Sequence, residues 1–145
     1  MSVAVDTNIL VHALDEDDPL SDSAYALLER LSRGPDLLYV FWPVIMGFLR
    51  IATHPSIKPA PLTLEQAVEN VARLVDRPHV RTPGEEPGFL EAFLTTAPRG
   101  VRGRHVTDAH IATLMRQHGV RVIYTRDRDF RRYDGIEPRD PFAAG

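Results

Sequence analysis

Four aspartates stand where apolar runs end or where a helix begins. Asp6 follows Val3-Ala4-Val5, Asp127 and Asp129 follow "RVIYT", and Asp108 lies near the start of a helical stretch. Carboxylates gathered in one place repel each other and raise each other's pKa, so a cluster that stays ionised needs a counter-ion. An all-oxygen donor set selects a hard divalent cation such as Mg²⁺ or Mn²⁺. Such an ion clamps a phosphodiester oxygen and acidifies a water. Taken singly, each Asp has a plainer role as turn former, helix cap or N-terminal helix residue. Taken together, they point to a cation site.

The elements that position them can be read along the chain. Residues 2–5 form a buried strand, and "LDEDDPLSD" is a turn. A helix starts at Ser21 or Asp22, turns Ala24, Leu27, Leu28 and Leu31 inward, and stops at Gly34. "DLLYVF" is a second strand, and Pro43 suits the first turn of the helix that carries Val44, Ile45, Phe48, Leu49 and Ala52. Thr63 and Gln66 make a capping box. A short strand is expected near Val80, and a short helix over Phe89, Leu90, Phe93 and Leu94. Thr107 is expected to cap a helix with Ile111, Ala112, Leu114 and Met115 inside, ending at Gly119. "RVIYT" is a strand, and the tail holds one last edge strand. Strands alternating with helices predict an α/β fold, a mainly parallel central sheet flanked by helices. In such sheets the functional crevice lies beyond the carboxyl ends of the strands, where Asp6 and Asp127 fall.

Composition removes several classes. The chain has 145 residues, 43% hydrophobic and 26% charged, as expected of one globular domain. No apolar run is long enough to span a membrane, and no leader pattern opens the chain; a cytoplasmic protein is expected. Zero cysteines exclude disulfides and thiolate metal sites. A net charge of -3 argues against wholesale electrostatic binding of nucleic acid but allows local basic patches. Arg99, Arg102 and Arg104 precede the Asp108 helix, while Arg126, Arg128, Arg131 and Arg132 surround the last carboxylates. They either grip phosphates or balance the acids. Arg50 either joins a structural ion pair or faces the carboxylates. His105 and His110 bracket Asp108, as structural residues or as neighbours of a bound substrate. A haloacid-dehalogenase-type phosphatase is disfavoured: Asn8 stands where its second Asp belongs, and Lys58 is the one lysine. No Gly-rich Lys-Ser/Thr loop exists for a P-loop enzyme.

The segments "VDTNILVHALD", "FWPVIMGFLRIATHP" and "VTDAHIATLMRQHGVRVIYTRDRDF" resemble PIN-domain ribonucleases, and more narrowly the VapC toxins of bacterial VapBC toxin–antitoxin pairs. The resemblance implies a single PIN domain over 1–145 with a Rossmann-like, three-layer fold. It implies Mg²⁺- or Mn²⁺-dependent endonucleolytic cleavage of RNA, a homodimer, and neutralisation by a cognate VapB antitoxin. Mapped by position, it makes Asp6, Asp108 and Asp127 catalytic and metal-binding, adds Asp129 as a further metal residue, and makes Thr7, Asn8 and Thr125 their supports. Arg102, Arg104, Arg126 and Arg128 are the expected RNA contacts. There is one departure: Gly47 occupies the place of the family's Glu just before "FLR". Glycine inside a helix costs about 1 kcal/mol relative to alanine, so propensity does not explain it. Close approach of another backbone or of RNA would. The missing acid leaves room for a second reading, a weakly or non-catalytic PIN-fold module that binds RNA or an antitoxin.

Overall fold

The computed structural model describes residues 1–143. Its strands are β1 (Val3–Val5), β2 (Leu38–Tyr39), β3 (Val80–Arg81), β4 (Val122–Tyr124) and β5 (Glu137–Arg139). Its helices are α1 (Thr7–Ala13), α2 (Ser21–Ser32), α3 (Trp42–Ala52), α4 (Leu64–Val75), α5 (Phe89–Thr96) and α6 (His105–Gln117). A 3-10 turn covers Arg128–Arg132.

The strands form one sheet in the order β3-β2-β1-β4-β5, and every neighbouring pair is parallel. β1 is central, with Val3 opposite both Leu38 and Val122. All three of its residues are buried, as the unbroken apolar run requires of a strand covered on both faces. From β1 the chain builds outward to β2 and β3, then returns to the other side of β1 with β4 and β5. The strand order therefore reverses between β1 and β4, and a crevice opens beyond their carboxyl ends. The core runs through Ile9, Leu10, Leu38, Phe41, Phe48, Ile111, Leu114, Met115, Ile123 and Phe130, each at most 1% exposed.

Most helix expectations hold. Thr63 and Gln66 form the capping box at α4, Pro43 lies in the first turn of α3, and Gly34 ends the α2 segment at φ 81°. Two features differ. The seven residues of α1 lie directly after Asp6, between the predicted strand and the acidic turn, where the sequence pattern predicts no element. Asp6 is the N-cap of α1: its Oδ1 accepts from the Thr7 N–H at 2.7 Å, and Ile9, Leu10 and Ala13 are buried. Thr107 caps nothing. α6 already begins at His105, started by backbone bonds from His105, Val106 and Thr107 N–H to the carbonyls of Arg102, Gly103 and Arg104. Asp108 thus lies one turn above His105 on the same helix face.

Candidate active site

Asp6 leaves the carboxyl end of β1, and its own N–H still pairs with the Tyr124 carbonyl at 3.0 Å. Its side chain is the one carboxylate among the described buried residues. Besides the Thr7 N–H, it receives two side-chain donors on Oδ2: Thr125 Oγ1 at 2.7 Å and Asn8 Nδ2 at 3.2 Å. Burial pushes the Asp6 carboxyl above its usual range, against these hydrogen bonds, and the charge of Asp127 pushes it further.

Thr125 joins the two halves of the site. Its hydroxyl donates to Asp6 and accepts from the Asp127 N–H at 2.9 Å and from Asn8 Nδ2 at 3.3 Å. Asn8 Oδ1 in turn accepts from the Arg126 N–H at 3.2 Å. Asp127 Oδ1 caps the 3-10 turn by accepting from the Asp129 N–H at 2.8 Å. This ladder fixes the chain leaving β4 against the chain leaving β1 and sets the two carboxylates side by side.

Asp108 comes from the first turn of α6. Its carboxyl is pushed up to about 6, chiefly by burial and then by the charges of Asp127 and Asp6, with Asp129 adding to them and His105 opposing. All four sequence-predicted aspartates therefore converge on one place. Among the described residues no hydrogen bond reaches the Asp108 carboxylate, and His105, 3.7 Å away, is the group that opposes its acidic neighbours.

Two residues join this group that are not among the metal ligands expected from the sequence. His105 Nδ1 lies 3.7 Å from an oxygen of Asp108 and 3.7 Å from one of Asp129. These three side chains offer ligand atoms that all lie within 4.8 Å of one another, a group able to hold a cation. Tyr133 is buried beside the acids. Its phenol is pushed up to about 12 by burial and by the neighbouring charge of Asp108. The spacing of His105 to Asp108 was the readable signal for the first; nothing in the sequence marked Tyr133.

The remaining candidates sort clearly. Thr7 turns its hydroxyl to the Val44 carbonyl at 3.3 Å and offers Asp6 only its N–H. Arg102, Arg104, Arg126 and Arg128 are exposed, and Arg126 stacks over the Phe142 ring at 5.7 Å. Arg126 and Arg128 line a depression of about 100 Å³ with Thr125 and Asp127. Arg50 is exposed and forms no ion pair among the described residues, contrary to a structural pairing role. His110 pairs with Glu85 at 2.8 Å, away from the aspartates. Gly47 faces Thr7, so the approach that calls for glycine comes from the first residue of α1.

Comparison with known proteins agrees with this architecture. The family model of the PIN domain matches residues 3–136. Ribonuclease VapC48 of Mycobacterium tuberculosis is 47% identical over 144 residues, 99% of each chain. In fold the chain is similar to VapBC2 of Rickettsia felis bound to a promoter DNA fragment, with a TM-score of 0.67, 16% identity, and 96% and 98% of the two chains covered. It is likewise similar to VapC20 of Mycobacterium tuberculosis, a sarcin–ricin loop cleaving toxin, at a TM-score of 0.66, 18% identity, and 94% and 99% covered. The family-model match and the full-length identity place the chain in the PIN-domain family, among the VapC ribonucleases.

Proposed function

We propose that this chain is a divalent-metal-dependent endoribonuclease acting as the toxin of a VapBC pair. The observation that carries the reading is the meeting of Asp6, Asp108, Asp127 and Asp129 at the switch point, with the charges of the other three bearing on Asp108. The donor set fits a hard cation: carboxylate oxygens and one imidazole, with no thiolate in the chain. Asp6, Asp108 and Asp127 would hold a Mg²⁺ or Mn²⁺ ion, with Asp129 outside them or at a second ion. When bound, such an ion supplies Lewis acidity at the scissile phosphate and at the attacking water.

The chain's own groups do the rest. Thr125, Asn8 and the Thr7 N–H hold Asp6 in one orientation. Asp108, at the start of α6 beside the charges of Asp127 and Asp6, is placed to orient or deprotonate the attacking water. The water oxygen attacks phosphorus in line, the bond to the 3′ oxygen breaks, and a 5′-phosphate and a 3′-hydroxyl result. Arg102, Arg104, Arg126 and Arg128 grip flanking phosphates.

The names of the similar proteins support an RNA substrate and a VapB-type antitoxin partner for this chain. Apolar side chains left exposed, Trp42 and Met46 on α3 and Leu90 and Leu94 on α5, support a homodimer. Among the described residues no helix is long and apolar enough to cross a membrane; a cytoplasmic site of action belongs to the toxin reading.

The test is cleavage of a structured RNA by purified protein with Mn²⁺, with chelator, and with the Asp6→Asn variant. Cleavage that needs the ion and is lost in the folded variant is expected. Equal activity of variant and wild type removes Asp6 from the mechanism. RNA binding without cleavage in any metal selects the non-catalytic reading, which Gly47 favours.

A further inference from the structure

We propose that His105 is a cation ligand, supplying with Asp108 and Asp129 the donor that the missing α3 carboxylate does not, and that it biases the site toward Mn²⁺ over Mg²⁺. The inference deepens the nuclease reading and rests on it. His105 opens α6, and Asp108 lies one turn on, so their side chains share a face. Nδ1 stands 3.7 Å from Asp108 Oδ2 and 3.7 Å from Asp129 Oδ2. That separation is too long for a hydrogen bond, so the ring is tied to neither carboxylate. It suits donors arranged around one ion. With metal–ligand bonds of about 2.1 Å, adjacent octahedral donors stand roughly 3 Å apart, within a small side-chain adjustment of the observed spacing. Among the described residues no hydrogen bond occupies the His105 ring nitrogens. The ring is partly exposed, leaving a path for an ion.

Gly47 gives the arrangement its purpose. A side chain there would run into Thr7, so α3 contributes no donor at that position. His105 brings one from α6, beside Asp108 and Asp129. Asp108 then lies between two sets of partners: Asp6 and Asp127 inward, His105 and Asp129 outward. An imidazole changes selectivity as well as number. Carboxylate oxygens suit magnesium and manganese alike, whereas imidazole suits first-row transition ions; manganese, the one transition ion of the two, therefore loses less by taking a nitrogen donor.

The experiment is pulsed electron paramagnetic resonance of the full chain, stripped of metal and loaded with substoichiometric Mn²⁺ at neutral pH. Wild type is expected to show nitrogen modulation from a directly bound imidazole. His105→Gln is expected to lose it, to bind Mn²⁺ about tenfold more weakly, and to change less in Mg²⁺ affinity. Circular dichroism and melting of the variant confirm that it is folded. Wild-type protein that binds Mn²⁺ without nitrogen modulation overturns the proposal and leaves the nuclease reading standing. Modulation that persists in His105→Gln assigns it to another histidine and overturns it equally. Wild-type protein that binds no Mn²⁺ removes both.

Discussion

A Cβ built on Gly47 lies 2.8 Å from Oγ1 of Thr7 and 3.2 Å from its Cγ2. Thr7 is β-branched, so a turn about χ1 can clear at most one of the two branch positions facing Gly47 and leaves the other filled. Its hydroxyl is also engaged with the Val44 carbonyl on the same helix as Gly47. The N-terminus of α1 and the middle of α3 therefore meet through the absent side chain. This is the neighbour that propensity alone could not name.

The pair makes a prediction whose sign depends on background. Gly47→Ala gains about 1 kcal/mol of helix propensity. It also overpacks against Thr7, at about 1–3 kcal/mol. Net destabilisation of about 1 kcal/mol is expected in the wild-type background. In a Thr7→Ala background both close atoms are gone, and the same substitution should stabilise by roughly 1 kcal/mol. Urea midpoints of the four proteins measure the cycle. A stabilised single Gly47→Ala variant would show that Thr7 moves aside freely.

Thr125 carries the next prediction. Its hydroxyl serves Asp6, Asn8 and the Asp127 N–H while only 2% exposed. Thr125→Val keeps the shape, removes one of the three donors to the buried Asp6 carboxylate and leaves the Asp127 N–H without its acceptor. A loss of about 1–3 kcal/mol is expected, together with slower cleavage as Asp6 and Asp127 lose their common anchor. Thr125→Ser restores the hydroxyl and should recover most of both. Chemical denaturation and initial rates decide it; a valine variant indistinguishable from wild type would leave the ladder without consequence.

The sheet was legible because its strands are short apolar runs bounded by turn residues, and Asp6, Asp108 and Asp127 were legible because they sit at the ends of such runs or at the start of a helical one. What was not legible depends on tertiary packing. The segment that becomes α1 has only seven residues, too few for a clear helical period, and gains its stability by burying Ile9 and Leu10. The start of α6 at His105, set by the turn around Gly103, carries no side-chain cap to read. Tyr133 reaches the acids only because the 3-10 turn after β4 folds back beneath them.

Asp108 gives the site a pH signature. In the unfolded chain it titrates near 3.8, and in the folded chain at about 6. Between those values the folded state holds more proton, so this group's contribution to stability falls as pH rises through the window. Asp108→Asn removes it. The variant should match wild type near the lower end and become more stable above the upper end, by about 1–2 kcal/mol once solvent screening of the half-buried carboxyl is allowed for. The depressed carboxyls of Asp15, Asp18, Glu29 and Glu85 act in the opposite sense but are common to both proteins and cancel in the difference. Excess Mn²⁺ should close the gap by stabilising wild type alone. Melting curves across the range test it; parallel curves for the two proteins would contradict the placement of Asp108 among its acidic neighbours.

The arginines decide between gripping RNA and balancing acids. Arg33, Arg73, Arg77 and Arg139 form the arginine–carboxylate pairs among the described residues, and Arg102, Arg104, Arg126 and Arg128 join none. Their charge is thus free for phosphate, and Arg126 is held in place by the Phe142 face rather than by an acid. Replacing Arg126 and Arg128 with Gln should weaken RNA binding and leave melting temperature and Mn²⁺ affinity unchanged. For single-stranded RNA the slope of log affinity against log salt should fall by about 0.7 for each phosphate that is no longer neutralised. Phe142→Ala should weaken binding in the same direction by releasing the Arg126 side chain, with no change in that slope. Binding titrations at several salt concentrations separate the two effects. An unaltered slope in the double Gln variant would assign these side chains to the solvated surface.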